Sequence, residues 1–160
     1  MNAARNPTAR LNALVRIVER EAKHLAATDR RLFQNPLSIA DIVALETDED
    51  LAERVEAFIG RFGRLQDTLG DKLLPALLSH LGERPASLLD NLDRAERLGW
   101  IENANRWIDI RDLRNKMVHE YMEDPAILAD ALNSGHHFVT DLIGTANRMT
   151  AQTRTRANPS

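Results

Sequence analysis

Apolar residues return at steps of three and four along nearly the whole of this chain, and nowhere do β-branched residues alternate with polar ones over a strand's length. The clearest run is Leu51, Val55, Phe58, Phe62, Leu65 and Leu69, a seam of the kind by which one helix packs against others. Glycines and aromatics are few, as helix interiors require. The pattern predicts an all-α fold, an up-down antiparallel helical bundle of about four to five helices.

Punctuation residues divide the pattern. Helix one is expected from Thr8 to Ala27, entered through the turn "NPT". Pro36 breaks the next segment, where Ser38 with Asp41 reads as the cap of a short helix. Helix two should be capped by Thr47 and opens on "DEDLAERVE", acids that suit the positive end of the helix dipole. Pro75 should kink or restart it, and Gly82 should end it. A short helix three lies between Ser87 and Gly99, and helix four runs from Glu102 to Tyr121. Asp124 and Pro125 start helix five, with Leu128, Leu132, Phe138, Val139, Leu142, Ala146 and Met149 as its seam. Residues 1–150 form the one bundle domain that 160 residues call for, and 151–160, polar and without periodicity, a mobile tail.

Net charge and cysteine count narrow the function. A formal charge of −3 and a pI near 6.0 argue against a surface coated in positive charge for non-specific nucleic-acid binding, though local cationic sites remain open. The absence of cysteine excludes disulfides and thiolate metal sites. The adjacent His136 and His137 point ~100° apart on a helix with no acid at ligand spacing, so they read as surface histidines and no metal is expected. No cofactor signature is present. Short apolar runs, and an N-terminus "MNAARNPTARLN" without the apolar core of a signal peptide, predict a soluble cytoplasmic protein with no membrane partner.

Two features exceed what packing alone asks for. On helix two, Gly60, Gly63, Asp67 and Gly70 share one stripe. Each mid-helix glycine costs about 1 kcal/mol relative to alanine, so something should pack closely there, either a crossing helix or a functional group. On helix four, "RDLRNKMVHEY" sets Arg114 in a stripe with Trp107, Ile110, Met117 and Tyr121, beside a second stripe of Ile101, Ala104, Ile108, Arg111, Asn115 and Val118. A buried, unpaired guanidinium costs several kcal/mol, so Arg114 must pair with a carboxylate such as Asp67 or face a polar pocket, an interface or a ligand. His119 follows five residues later, about 140° around the helix. The two side chains converge only if the helix frays before Asp124 or if a twofold axis pools two copies.

"RNKMVHEY" resembles the Arg-x4-His-x-Tyr motif of HEPN-domain ribonuclease toxins of the HepT type, including the asparagine after the arginine. "AFIGRFGRLQDTLGDKLLPALL" is similar to the second helix of HepT-like proteins and of nucleotidyltransferase substrate-binding subunits. The resemblance covers helices two to four, and nothing before Asp48 matches. It implies a homodimer whose motifs face one another across a cleft and cut RNA without a metal ion, with Arg114 and His119 catalytic. Beyond what the resemblance implies, we expect Asn115 to orient the phosphate or hold the histidine, and Asp67 to hold Arg114. Arg61, Arg64, Arg111 and Lys116 are candidates for guiding the RNA backbone. The family's partner is a minimal nucleotidyltransferase antitoxin that adenylylates the motif tyrosine, here Tyr121, although a tyrosine in that stripe can equally be core with a satisfied hydroxyl. The alternative implication is a non-catalytic subunit that binds a nucleotide or substrate for a nucleotidyltransferase.

Overall fold

The computed structural model describes residues 6–121 and 123–157, and among them there is no β-strand. The helices are α1 (Pro7–Leu32), α2 (Ile39–Val43, followed by a 3₁₀ turn Ala44–Glu46), α3 (Glu49–Asp67), α4 (Leu74–His80), α5 (Leu88–Arg97), α6 (Ala104–Glu120) and α7 (Pro125–Ala157). No described helix is long and apolar enough to cross a membrane.

Side chains that satisfy the free N–H groups start most of these helices. Asn6 Oδ1 accepts from Thr8 N at 3.0 Å with Pro7 in the first turn, and Ser38 and Asp41 form a reciprocal capping box. Ser87 Oγ accepts from Asp90 N, Asn103 Oδ1 from Asn105 N, and Asp124 Oδ1 from the amides of Ala126 and Ile127. Gly82 and Gly99, at φ of 80° and 78°, end α4 and α5 in the left-handed conformation that glycine adopts without strain.

Helix α1 packs on α3 and α7, and α6 closes against both α3 and α7. Leu11, Val18 and Leu25 of α1, Val55, Phe58 and Phe62 of α3, and Leu132 and Leu142 of α7 are fully buried in one apolar cluster. Phe33 meets Phe58 edge-on at 5.1 Å between ring centroids.

Three boundaries differ from the expected ones, each for a local reason, and one expected break is met. Helix α1 continues past Ala27 to Leu32 because Thr28 and Leu32 are buried, and of the polar "TDRR" run only Arg30 and Arg31 form its outer face. Asp48, not Thr47, caps α3, since Asp48 Oδ1 takes the Leu51 amide at 3.0 Å. Pro75 restarts the helix as expected: a π-helical turn, Thr68–Leu73, precedes it, and α4 begins at Leu74 with the proline in its first turn, where the missing N–H is tolerated. The expected tail is helical through Ala157, with Thr153 buried and Arg154 paired with Glu19 of α1, and residues 158–160 lie outside the described part.

Candidate active site on the α3–α6 face

The stripe of small residues on α3 meets the motif stripe on α6 in a fixed register. A Cβ at Gly63 would lie 3.0 Å from Arg114 Nε and 3.3 Å from its Cγ, and one at Gly70 would lie 3.2 Å from Trp107 Nε1. Two turns before Gly63, Glu56 Oε1 accepts a hydrogen bond from the Tyr121 hydroxyl at 3.0 Å. Residues 56, 63 and 70 thus face 121, 114 and 107: steps of seven upward on one chain segment and downward on the other. The two segments run antiparallel, in the heptad spacing that keeps one helix face on another over several turns. Glycine at 63 and 70 leaves room for the guanidinium stem and the indole. Gly60 is different, since nothing lies within 4 Å of the Cβ it lacks.

Arg114 is held on both sides and still open. Its Nη2 lies 3.5 Å from Asp67 Oδ2, and its Nη1 donates to Asn115 Oδ1 at 3.3 Å. The arginine side chain is 35% exposed and that of Asp67 47%, so this is a solvent-screened pair worth less than about 1 kcal/mol. Such a pair orients the guanidinium far more than it stabilises the fold. The remaining N–H donors stay available to an anion.

His119 stands apart. It is exposed in the last turn of α6 and has no side-chain partner among the described residues. The helix does not fray before it: α6 remains helical through Glu120, which fixes His119 well around the helix from Arg114. Asn115 lies between them in angle, but its amide oxygen serves Arg114 and not the imidazole.

Tyr121 leaves the helix with an extended ψ of 121° and turns its ring onto α3, partly buried. Burial, then the bond to Glu56, then the charges of Glu56 and Glu49 push its phenol from the ordinary 10.0 up to about 12. Glu56 is the residue that the sequence left unmarked. Its place two turns before Gly63 on the same stripe was the available signal.

The four cations expected to guide RNA separate into two groups. Arg64 and Arg111 are exposed, and their helical angles set them beside the α3–α6 face, Arg64 being also near Glu21 of α1. Arg61 turns to α1, where it donates to His24 O at 3.3 Å and to the Thr28 hydroxyl. Lys116 points to the far side of α6, into a groove shared with α7. Arg61 and Lys116 are therefore not neighbours of Arg114, because on helices both lie roughly opposite the α3–α6 contact.

His136 also departs from the expected surface role. Its Nδ1 lies 2.7 Å from Asp29 Oδ1 and its ring stacks on Phe33 with centroids 4.6 Å apart, joining α7 to the end of α1, whereas His137 is exposed. No cluster of three or more metal-ligating side chains occurs among the described residues. Compared with protein-family models, curated proteins and solved structures, the chain matches none of them.

Proposed function

We propose that this protein is a metal-independent endoribonuclease toxin of a HEPN and minimal-nucleotidyltransferase pair, working as a homodimer of up-down, HEPN-like bundles. The observation that carries the reading is Arg114: a guanidinium seated in a slot made by Gly63, oriented by Asp67 and Asn115, and left open to solvent.

A single chain cannot bring His119 to that guanidinium, because both sit on one continuous helix and diverge. A twofold axis along the exposed side of α6 resolves this by setting two motifs around one cleft. Two features of that side support it: Val118 is 48% exposed between Arg111 and His119, and Gly60 offers close approach that this chain does not use.

In that cleft one His119 takes the proton from an RNA 2′-hydroxyl as its oxygen attacks the adjacent phosphorus. The other His119, protonated, gives a proton to the departing 5′-oxygen. Arg114 stabilises the charge on the non-bridging oxygens. The products are a 2′,3′-cyclic phosphate and a 5′-hydroxyl, and no metal is required for either proton transfer. Arg64 and Arg111 flank the cleft and attract the RNA backbone.

Control acts through Tyr121. A nucleotidyltransferase joins the phenol oxygen to the α-phosphorus of ATP and releases pyrophosphate, so the phenol loses its proton and its bond to Glu56. The new phosphodiester is repelled by Glu56 and Glu49 and moves toward Arg114, two helical turns or about 10 Å away. There it competes with RNA phosphate. One observation favours a second reading, a non-catalytic nucleotide-binding subunit: Arg114 is positioned within the chain while His119 is not.

Incubation of labelled RNA with purified protein in EDTA separates the two. Cleavage to cyclic-phosphate ends, lost in Arg114→Ala and in His119→Ala, supports the ribonuclease. Full activity in His119→Ala, or none in the parent protein, would leave the binding subunit.

A further inference from the structure

On the side of the molecule away from Arg114, two grooves adjoin at Glu120, which lines both. The larger, about 730 Å³, runs between α6 and α7 over Leu113, Ala131 and Phe138 and is rimmed by Asp109, Asp112, Glu120 and Asp130, with Lys116 as the one cation in its lining. The smaller, about 270 Å³, lies between α2 and the start of α7 and adds Glu46 and Glu123 to the rim. Among the described residues none of these acids is in an ion pair. In a chain whose whole formal charge is −3, this is a strong local concentration of negative charge.

The same surface exposes apolar side chains that the fold does not cover. Val43 is 59% exposed, Ile39 one turn before it 54%, and Ile127 on the first turn of α7 44%. Acid alone would suit a cation, but no group of three or more metal-ligating side chains converges among the described residues. Nucleic acid is repelled. Apolar positions set inside an acidic rim complement a helix with an apolar stripe flanked by lysine and arginine.

We infer that this α2–α6–α7 surface docks a basic amphipathic helix of a partner protein. The grooved stretch of α7 from Asp124 to Phe138 is about 21 Å long, which a helix of about 14 residues matches. Val43 and Ile127 meet its apolar stripe, and the acids on α6 and α7 meet its cations. The surface is centred away from Arg114, since Lys116 in its lining points roughly opposite to Arg114 on α6, and it meets the proposed ribonuclease cleft only at its edge, where Asp112 shares a stripe with His119 seven residues on.

The probe is a synthetic amphipathic helix of leucine and lysine, titrated into the full-length protein while backbone amide shifts are followed by NMR. A leucine–glutamate peptide of the same pattern serves as the control. Shifts should gather at α2, the end of α6 and the first half of α7. Asp112→Lys with Asp130→Lys, and separately Val43→Ser with Ile127→Ser, should each weaken binding by about tenfold or more. The exposed pair Glu53→Lys with Asp93→Lys, elsewhere on the surface, should change it less than about twofold. Equal weakening by both charge-reversed pairs, or shifts scattered over the surface, would reduce the effect to general electrostatics and overturn the inference. Concentration-dependent self-association of the parent protein that Asp112→Lys with Asp130→Lys abolishes would overturn it too, by making a second copy the occupant.

Discussion

Gly63 and Arg114 compete for one volume: the Cβ that residue 63 lacks would sit 3.0 Å from Arg114 Nε and 3.3 Å from its Cγ. The close contact falls on the stem of the side chain as well as on the guanidinium, so a methyl group there moves the whole arginine. Asp67 and Asn115 fix where the guanidinium points only while that slot is empty.

Gly63→Ala should therefore keep the fold and disturb the site. Helix propensity favours alanine by about 1 kcal/mol, which offsets the crowding, whereas Arg114 must give by a few tenths of an ångström, part of the ~1 Å misplacement that costs up to a hundredfold in rate. Thermal denaturation should show a Tm near that of the parent protein, and RNA cleavage should fall by severalfold to about tenfold. Unchanged cleavage would mean that Arg114 need not occupy this slot.

Asp67→Asn tests whether the ion pair orients or stabilises. With both partners well exposed, urea denaturation should register a loss below about 1 kcal/mol. Cleavage should drop by a clearly larger factor than that energy implies. A stability loss of several kcal/mol would make the pair structural.

Tyr121 is the sole tyrosine, so phenolate absorbance reports it alone. Its titration midpoint should lie near pH 12 and not at the ordinary 10. Because the folded value is the higher one, the stabilisation from the protonated phenol is complete below pH 10 and disappears as the pH rises toward 12. Glu56→Gln removes the charge and should lower the midpoint. It should also slow adenylylation, since Glu56 is the chain's own acceptor for the phenol proton. A midpoint near 10 in the parent protein would contradict the Tyr121 to Glu56 contact.

Much of this arrangement is legible in the amino-acid sequence. The steps of three and four gave the helices, and the seam from Val55 to Leu69 is buried throughout. The cost of an unpaired guanidinium near a core leaves Arg114 either a carboxylate such as Asp67 or a polar pocket, an interface or a ligand, and the structure has the Asp67 contact. What local pattern could not supply was register between distant segments. Glu56 acquires meaning only when Gly63 is set against Arg114, and Arg61 looks like a nucleic-acid contact until α1 is seen to take it. The end of α7 escaped for another reason. Its buried threonines hydrogen-bond to their own helix backbone, as Thr153 does to Met149 O at 3.1 Å, and so pass inside a polar-looking sequence.

Gly60 separates packing within the chain from packing between chains. Gly60→Ala should stabilise the monomer fold by up to about 1 kcal/mol, because nothing in the chain opposes the methyl group. Gly60→Arg should leave the helices intact and shift a dimer to monomer in light scattering. A parent protein that is monomeric at micromolar concentration, or a Gly60→Arg variant that stays dimeric, would move the interface away from this stripe.

Subunit mixing tests whether two chains share one catalytic cleft. Parent protein is exchanged with His119→Ala in increasing proportion at constant total concentration, and RNA cleavage in EDTA is followed. If each cleft needs both His119 side chains, mixed dimers are inactive and the rate falls as the square of the parent fraction. A rate that falls in simple proportion to the parent fraction would mean that the two histidines do not act together, and would contradict the shared cleft.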